Sequence, residues 1–138
     1  VEDELEILRT ARGGYDAIAL NPVVTRSEIL ALQGLVYEVF VEDSVLDYMM
    51  KIVTATRTEA EFRAGASVRA GVALRTAAQA RALVHSRDFV MPEDVSELVA
   101  PIFAHRLALG RQTSDALEER RAITAVLKRI LGSIPQPR

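Results

Sequence analysis

Two residues stand where a chain of this composition could do chemistry: Ser67 and Arg69, within Gly65-Ala66-Ser67-Val68-Arg69-Ala70. The serine suits the N-cap of a helix that continues through an alanine-rich stretch from Ala70 to Ala82 and is expected to end near His85. A helix start leaves backbone N–H groups unpaired and presents the positive end of the helix dipole. An arginine in the first turn therefore stands beside a ready place for an anion. The chemistry on offer is recognition of an anion. Taken alone the signal is weak, because most helical arginines are solvated side chains that lay their stems along the surface.

Little else in the chain could act on a substrate. There is no cysteine, so disulfides and thiolate chemistry are excluded, and with His85 and His105 the only histidines no transition-metal site is expected. Glu42, Asp43 and Asp47 could be imagined around a hard cation, but acidic residues at a helix start already have a dipole reason to be there, and they are read as caps. The sequence contains no G-x-x-x-x-G-K-[ST] phosphate loop, no G-x-G-x-x-G turn, no nucleophile elbow and no H-E-x-x-H. By itself the chain is expected to catalyse nothing.

The formal net charge of −2 argues against a general attraction to nucleic acid or to acidic membranes. Arg57, Arg63, Arg69, Arg75, Arg81 and Arg87 recur at a constant spacing of six residues, but that is about 600° of helical rotation, so they step around a helix without making a basic stripe. Lysine occurs only at Lys51 and Lys128, and the preference for arginine reads as coding bias. No run is long and apolar enough for a membrane span, and the N-terminal VEDELEIL is acidic where a signal peptide is basic, which reads as a cytoplasmic protein.

The elements that must position Ser67 and Arg69 are helical. A length of 138 residues with 49% apolar but only 5% aromatic side chains points to one domain packed from aliphatic helices. A short helix over Asp3 to Ala11 is stopped by Gly13 and Gly14, and a linker runs from Gly13 to Val24. Thr25 and Glu28 then have capping-box spacing for a helix over Arg26 to Glu38, whose Ile29, Leu32, Val36 and Val39 are expected to form one buried face. A helix over Ser44 to Arg57 follows, with Leu46, Met49, Met50 and Val53 as its core stripe, and then a charged loop from Glu59 to Gly65.

After the central helix, Pro92 suits the first position of another, which Pro101 is expected to kink or break before a second piece over Ile102 to Leu107. Neither His105 in that piece nor His85 needs a catalytic role. Ser114 is expected to cap the last helix, to about Leu131, with Ala116, Ile123, Leu127 and Ile130 on one side. The apolar triplets Val39 to Val41 and Phe89 to Met91 both precede helix starts and are separated by a long helical crossover. They are expected to form one tiny two-stranded parallel pair in an otherwise all-α bundle of about five to six helices.

The segment GASVRAGVALRTAAQARALVHSRDFVMPEDVSELVAPIFAHRL resembles the C-terminal helical lid of MoxR-family AAA+ ATPases, whose pattern runs G-A-S-P-R-A, an alanine-rich helix, R-D-Y-V-x-P-E-D-V and H-R-L. Upstream, NPVVTRSEILALQGLVYEVFVEDSVLDYMMKIVTATR is similar to the first two helices of the same lid, so the resemblance covers Asn21 to Leu107. It implies residues 1–20 as the end of a preceding AAA+ core and linker, 21–131 as the lid and 132–138 as a flexible tail. It also implies that Arg69 is the second-sensor residue that reaches the nucleotide phosphates, with Ser67 as its supporting cap and Val68 where the family has proline. ATP, magnesium, a phosphate loop and the first sensor would belong to the full-length protein. Its partners would be its own core, neighbouring subunits of a ring, expected as a hexamer, and a client protein in chaperone-like assembly work. Two other readings stand beside this one: a helical DNA-binding module, since ALVHSRDFVMPEDV also resembles the end of a histone fold, and a non-enzymatic protein-interaction bundle.

Overall fold

The computed structural model describes residues 4–6, 21–113 and 115–137, and these are mostly helical. By contact the chain forms two compact units, Val1–Leu30 and Ala31–Arg138. Of the helix expected over Asp3 to Ala11, only residues 4–6 are described, and they are helical; the rest of it, the linker up to residue 20 and Ser114 lie outside the described residues.

Helix α1, Arg26–Val36, starts as its sequence predicts. The Thr25 N–H donates to Glu28 Oε2 at 2.7 Å and the Glu28 N–H donates to Thr25 Oγ1 at 3.3 Å, the two halves of a capping box. These bonds from Thr25 hold the exposed Glu28 carboxyl below its ordinary value. The buried face expected along α1 does not form: none of its residues is buried, Ile29 and Leu32 are 41% and 47% exposed, and only Val39, beyond the helix, enters the core. A 3.6-residue period marks a face that would gain from a partner, and nothing in the period says which surface supplies it.

The core of the second unit is made by four helices. In α2, Asp43–Thr58, the buried set is Val45, Tyr48, Met49, Ile52, Val53 and Thr56, which rotates the expected stripe and leaves Met50 exposed and Leu46 only partly buried. Glu42 is the N-cap by backbone but makes no side-chain cap bond, so of the acidic residues read as caps only Asp43 lies in the first turn. In α3, Val68–Val84, the inner stripe is Ala70, Leu74, Ala78 and Ala82, four residues apart and all at most 1% exposed. With one leucine among alanines the helix surface is nearly smooth, and α3 fits between α2 and α4, touching both.

Helix α4, Pro92–Phe103, buries Val95, Val99 and Phe103. Each fully buried side chain of that size contributes about 1.5–3 kcal/mol. Pro101 does not break it: the helix runs unbroken to Phe103, and His105 lies exposed after its end. The missing Pro101 N–H affects only the last turn, and Pro101 itself is exposed, so the carbonyl left over can bond water. Helix α5, Ala116–Ser133, is capped by Asp115, whose side chain accepts the Glu118 N–H at 2.8 Å, and buries Ile123, Val126, Leu127 and Ile130; Ala116, expected on that side, is exposed. Beyond it Ile134 packs on the core and Gln136 Nε2 lies 3.4 Å from Ser96 Oγ.

Sheet structure differs from the expected single parallel pair. The two triplets do meet, through one parallel bridge between Phe40 and Phe89, with Phe40 N–H donating to Asp88 O at 2.8 Å and Val90 N–H to Phe40 O at 2.9 Å. The two-stranded sheet is antiparallel and lies elsewhere, β1 Phe62–Ala64 against β2 Ala108–Leu109, with Phe62 opposite Leu109. The segment read as a charged loop thus has one apolar anchor, since Phe62 and Leu109 are both buried and pull their backbones into register.

Candidate functional site at the start of the central helix

The end of α2 determines where α3 begins. Thr56 is fully buried; its hydroxyl donates to Val53 O at 2.7 Å and accepts the Ala66 N–H at 2.9 Å. Arg57, the next residue, donates from Nε to the Ala66 carbonyl at 2.8 Å. Both polar groups of the buried Ala66 are therefore held by consecutive residues of one helix. Gly65 makes this approach feasible, because a Cβ there would lie 2.5 Å from Arg57 Cα and 2.6 Å from Thr56 O, inside any real contact. The sequence pattern predicts Arg57 as the end of a helix and Gly65 as the end of a loop, and no local signal ties the two together.

From that anchor the chain turns straight into α3. Ser67 is its N-cap: extended in backbone, with its hydroxyl accepting the Ala70 N–H at 3.3 Å. Arg69 is thus the second residue of the helix, it is exposed, and its side chain has no hydrogen-bond or ionic partner among the described residues. The N–H groups of Val68 and Arg69 likewise find no acceptor among those residues, as expected for a first helical turn. Beside this turn Val68 and Val72, each 59% exposed, line with Leu46, Met49, Met50, Gly71 and Arg75 an open apolar groove of about 270 Å³. Among the described residues no group of three or more His, Cys, Asp or Glu side chains could hold a metal ion, and Glu42, Asp43 and Asp47 form no such group.

A second charged cluster lies at the opposite end of α3, and it is closed. Asp94, 3% exposed in α4, receives Arg87 through two bonds of 2.7 Å and the Met91 N–H at 2.9 Å. Arg81 Nε stands 3.3 Å from Asp94 Oδ1, too far off the N–H axis for a hydrogen bond, while its Nη2 pairs with Glu97. Burial alone would push the Asp94 carboxyl up. The Arg87 bonds, the Met91 N–H and the two arginine charges outweigh that and hold it below the ordinary carboxylate range. The R-D-F-V-M-P-E-D pattern therefore owes its arginine and last aspartate to a buried ion pair. Also unforeseen was Gln79, 2% exposed, whose amide donates to Val39 O at 2.7 Å and ties the middle of α3 to the Phe40 bridge.

The AAA lid domain profile matches residues 54–129, more than half of the chain, and the chain belongs to that family. Two relatives are each 32% identical: Chaperone MoxR1 of Mycobacterium tuberculosis (strain ATCC 25618 / H37Rv), over 99% of this chain and 37% of its own length, and the uncharacterized protein YeaC of Bacillus subtilis (strain 168), over 98% and 41%. A crystal structure from Cytophaga hutchinsonii ATCC 33406, described as a candidate ATPase, superposes with a TM-score of 0.75 at 25% identity, covering 99% of this chain and 43% of that one. The chain thus spans about two fifths of the proteins it is similar to. It is an AAA lid domain, similar over nearly its whole length to part of Chaperone MoxR1. No described helix is long and apolar enough to cross a membrane.

Proposed function

We propose that this lid senses nucleotide for a MoxR-type AAA+ ATPase, with Arg69 as the second sensor. On this reading residues 1–20 complete a preceding core domain and its linker, and 21–131 form the lid. The core holds ATP and magnesium. The protein works in a cytoplasmic ring, a hexamer, on a client protein. The observation that carries the reading is Arg69 itself: an exposed, partnerless guanidinium on the first turn of a helix whose start is pinned on the α2 side by Thr56 and Arg57.

The chemistry follows from placement. Closure of the lid brings the guanidinium, the free first-turn N–H groups and the positive helix end to the same anion. A planar fork bridges two phosphate oxygens, and it stabilises the charge that spreads over them during phosphoryl transfer. The apolar groove around Val68 and Val72 supports the reading as a surface that is covered when the lid closes on its core.

Turnover by the full-length ATPase tests it. Removing a preorganised donor of this kind costs about 10²–10³ in rate. Arg69→Ala should therefore lose hydrolysis far more than ATP affinity, and Arg69→Lys should recover part of it. Arg75, further along α3, lines the groove that closure covers, so the control is Arg121→Ala, exposed on α5 and without an ionic partner among the described residues. Arg81, which sequence alone offers as a second control, is unsuitable, because it pairs with Asp94 and Glu97. Normal hydrolysis by Arg69→Ala in an assembled ring overturns the proposal.

A further inference from the structure

We infer that Arg57 is a positioning residue for Arg69, acting through the backbone of Ala66; this rests on the sensing role proposed for Arg69. Its Nε–H bond to Ala66 O, at 2.8 Å, is the charge-assisted half of a two-point clamp whose other half is the Thr56 hydroxyl on the Ala66 N–H. Ala66 is adjacent to the N-cap and three residues before Arg69. A peptide unit held at both its polar groups, and pressed by Gly65 against the α2 backbone, has no freedom to shift along or rotate about α2. The first turn of α3 inherits that position. Arg57 is itself exposed and forms no ion pair among the described residues, so its charge is not consumed in the fold.

A displacement of about 1 Å in a positioned group can cost on the order of 10²-fold in rate while leaving binding largely intact. Loosening one of two tethers should cost less than losing the arginine it positions. The discriminating substitution is Arg57→Gln. The Nε2 of glutamine is bonded to Cδ as the Nε of arginine is, so it returns an N–H donor to the same place without the charge or the terminal fork.

The experiment compares Arg57→Ala, Arg57→Gln, Arg57→Lys and Arg69→Ala in the full-length ATPase. It reads kcat, ATP affinity and amide exchange at Ala66. Arg57→Ala should lower kcat on the order of tenfold, leave ATP affinity within about twofold and speed Ala66 exchange, and Arg57→Gln should restore both kcat and protection. Wild-type turnover by Arg57→Ala beside an impaired Arg69→Ala overturns the inference and leaves the sensing role intact. So does rescue by lysine without rescue by glutamine, which would mean that the charge acts and the bond to Ala66 does not. If Arg69→Ala itself turns over ATP normally, the sensing role has failed and the inference falls with it.

Discussion

The two ends of α3 each hold arginines beside a helix terminus, and they are finished in opposite ways. At the C-terminal end the arginines are paired. His85 and Ser86 return their N–H groups to Arg81 and Leu83, the Arg87 N–H reaches back to Ala82 O at 2.9 Å, and the Arg87 and Arg81 side chains close on a buried aspartate. At the N-terminal end the backbone is pinned just as firmly, by Thr56 and Arg57, but the arginine it carries is left without a partner among the described residues. A charge neutralised within the fold serves stability. One held in place and left unneutralised remains available to a ligand.

Five substitutions sharpen or break this contrast. Asp94→Ala removes the acceptor of the two Arg87 bonds and the Met91 N–H, and the charge beside Arg81, and should destabilise by about 3 kcal/mol in urea unfolding, with Arg69→Ala near zero in the same assay. Equal costs at the two sites would erase the distinction. Gly65→Ala forces a methyl against the α2 backbone and should cost about 1–3 kcal/mol while raising exchange at Ala66; a neutral result would show that the clamp has slack.

The acid side of the stability profile should also belong to the closed end. Asp94 is held below its unfolded value, so its contribution is complete above about pH 4 and is lost as pH falls through the lower folded value. Asp94→Asn should flatten that part of the curve, read from unfolding midpoints between neutral and strongly acidic pH. The smallest effect is expected at Ser86, which sits at φ 56°, the left-handed region that glycine adopts without strain. Ser86→Gly should stabilise by about 0.5 kcal/mol, and a loss would mean that the serine side chain contributes something unseen at this cap.

How much of this was legible beforehand depended on the range of each signal. The Thr25–Glu28 box, the Ser67 cap and the Pro92 start rest on near neighbours and each is present, while the two triplets, though far apart in sequence, were marked by their strong extended preference before helix starts and do meet. The resemblance found the family. What stayed hidden depended on distant partners. A periodic face on α1 does not name its cover. Pro101 is harmless because it falls on the solvent side of a last turn, and nothing in the sequence ties Thr56 and Arg57 to a residue some ten positions later. The antiparallel pair of Phe62 with Leu109, 47 residues apart by subtraction of their numbers, is of the same kind.

The alanine seam of α3 has a mechanical side. Helices that meet through methyl groups lie close and interlock little, so the pile of α2, α3 and α4 behaves as a stiff plate, cross-pinned by Gln79 at mid-span and by the Asp94 cluster at one edge. The 17 residues of α3 span about 25 Å. A pull on Arg69 at one edge is then not absorbed locally by bending the first turn. If Arg69 is the sensor, such a pull would tip the plate as a unit and carry the far edge, with Phe40 and Phe89, along with it.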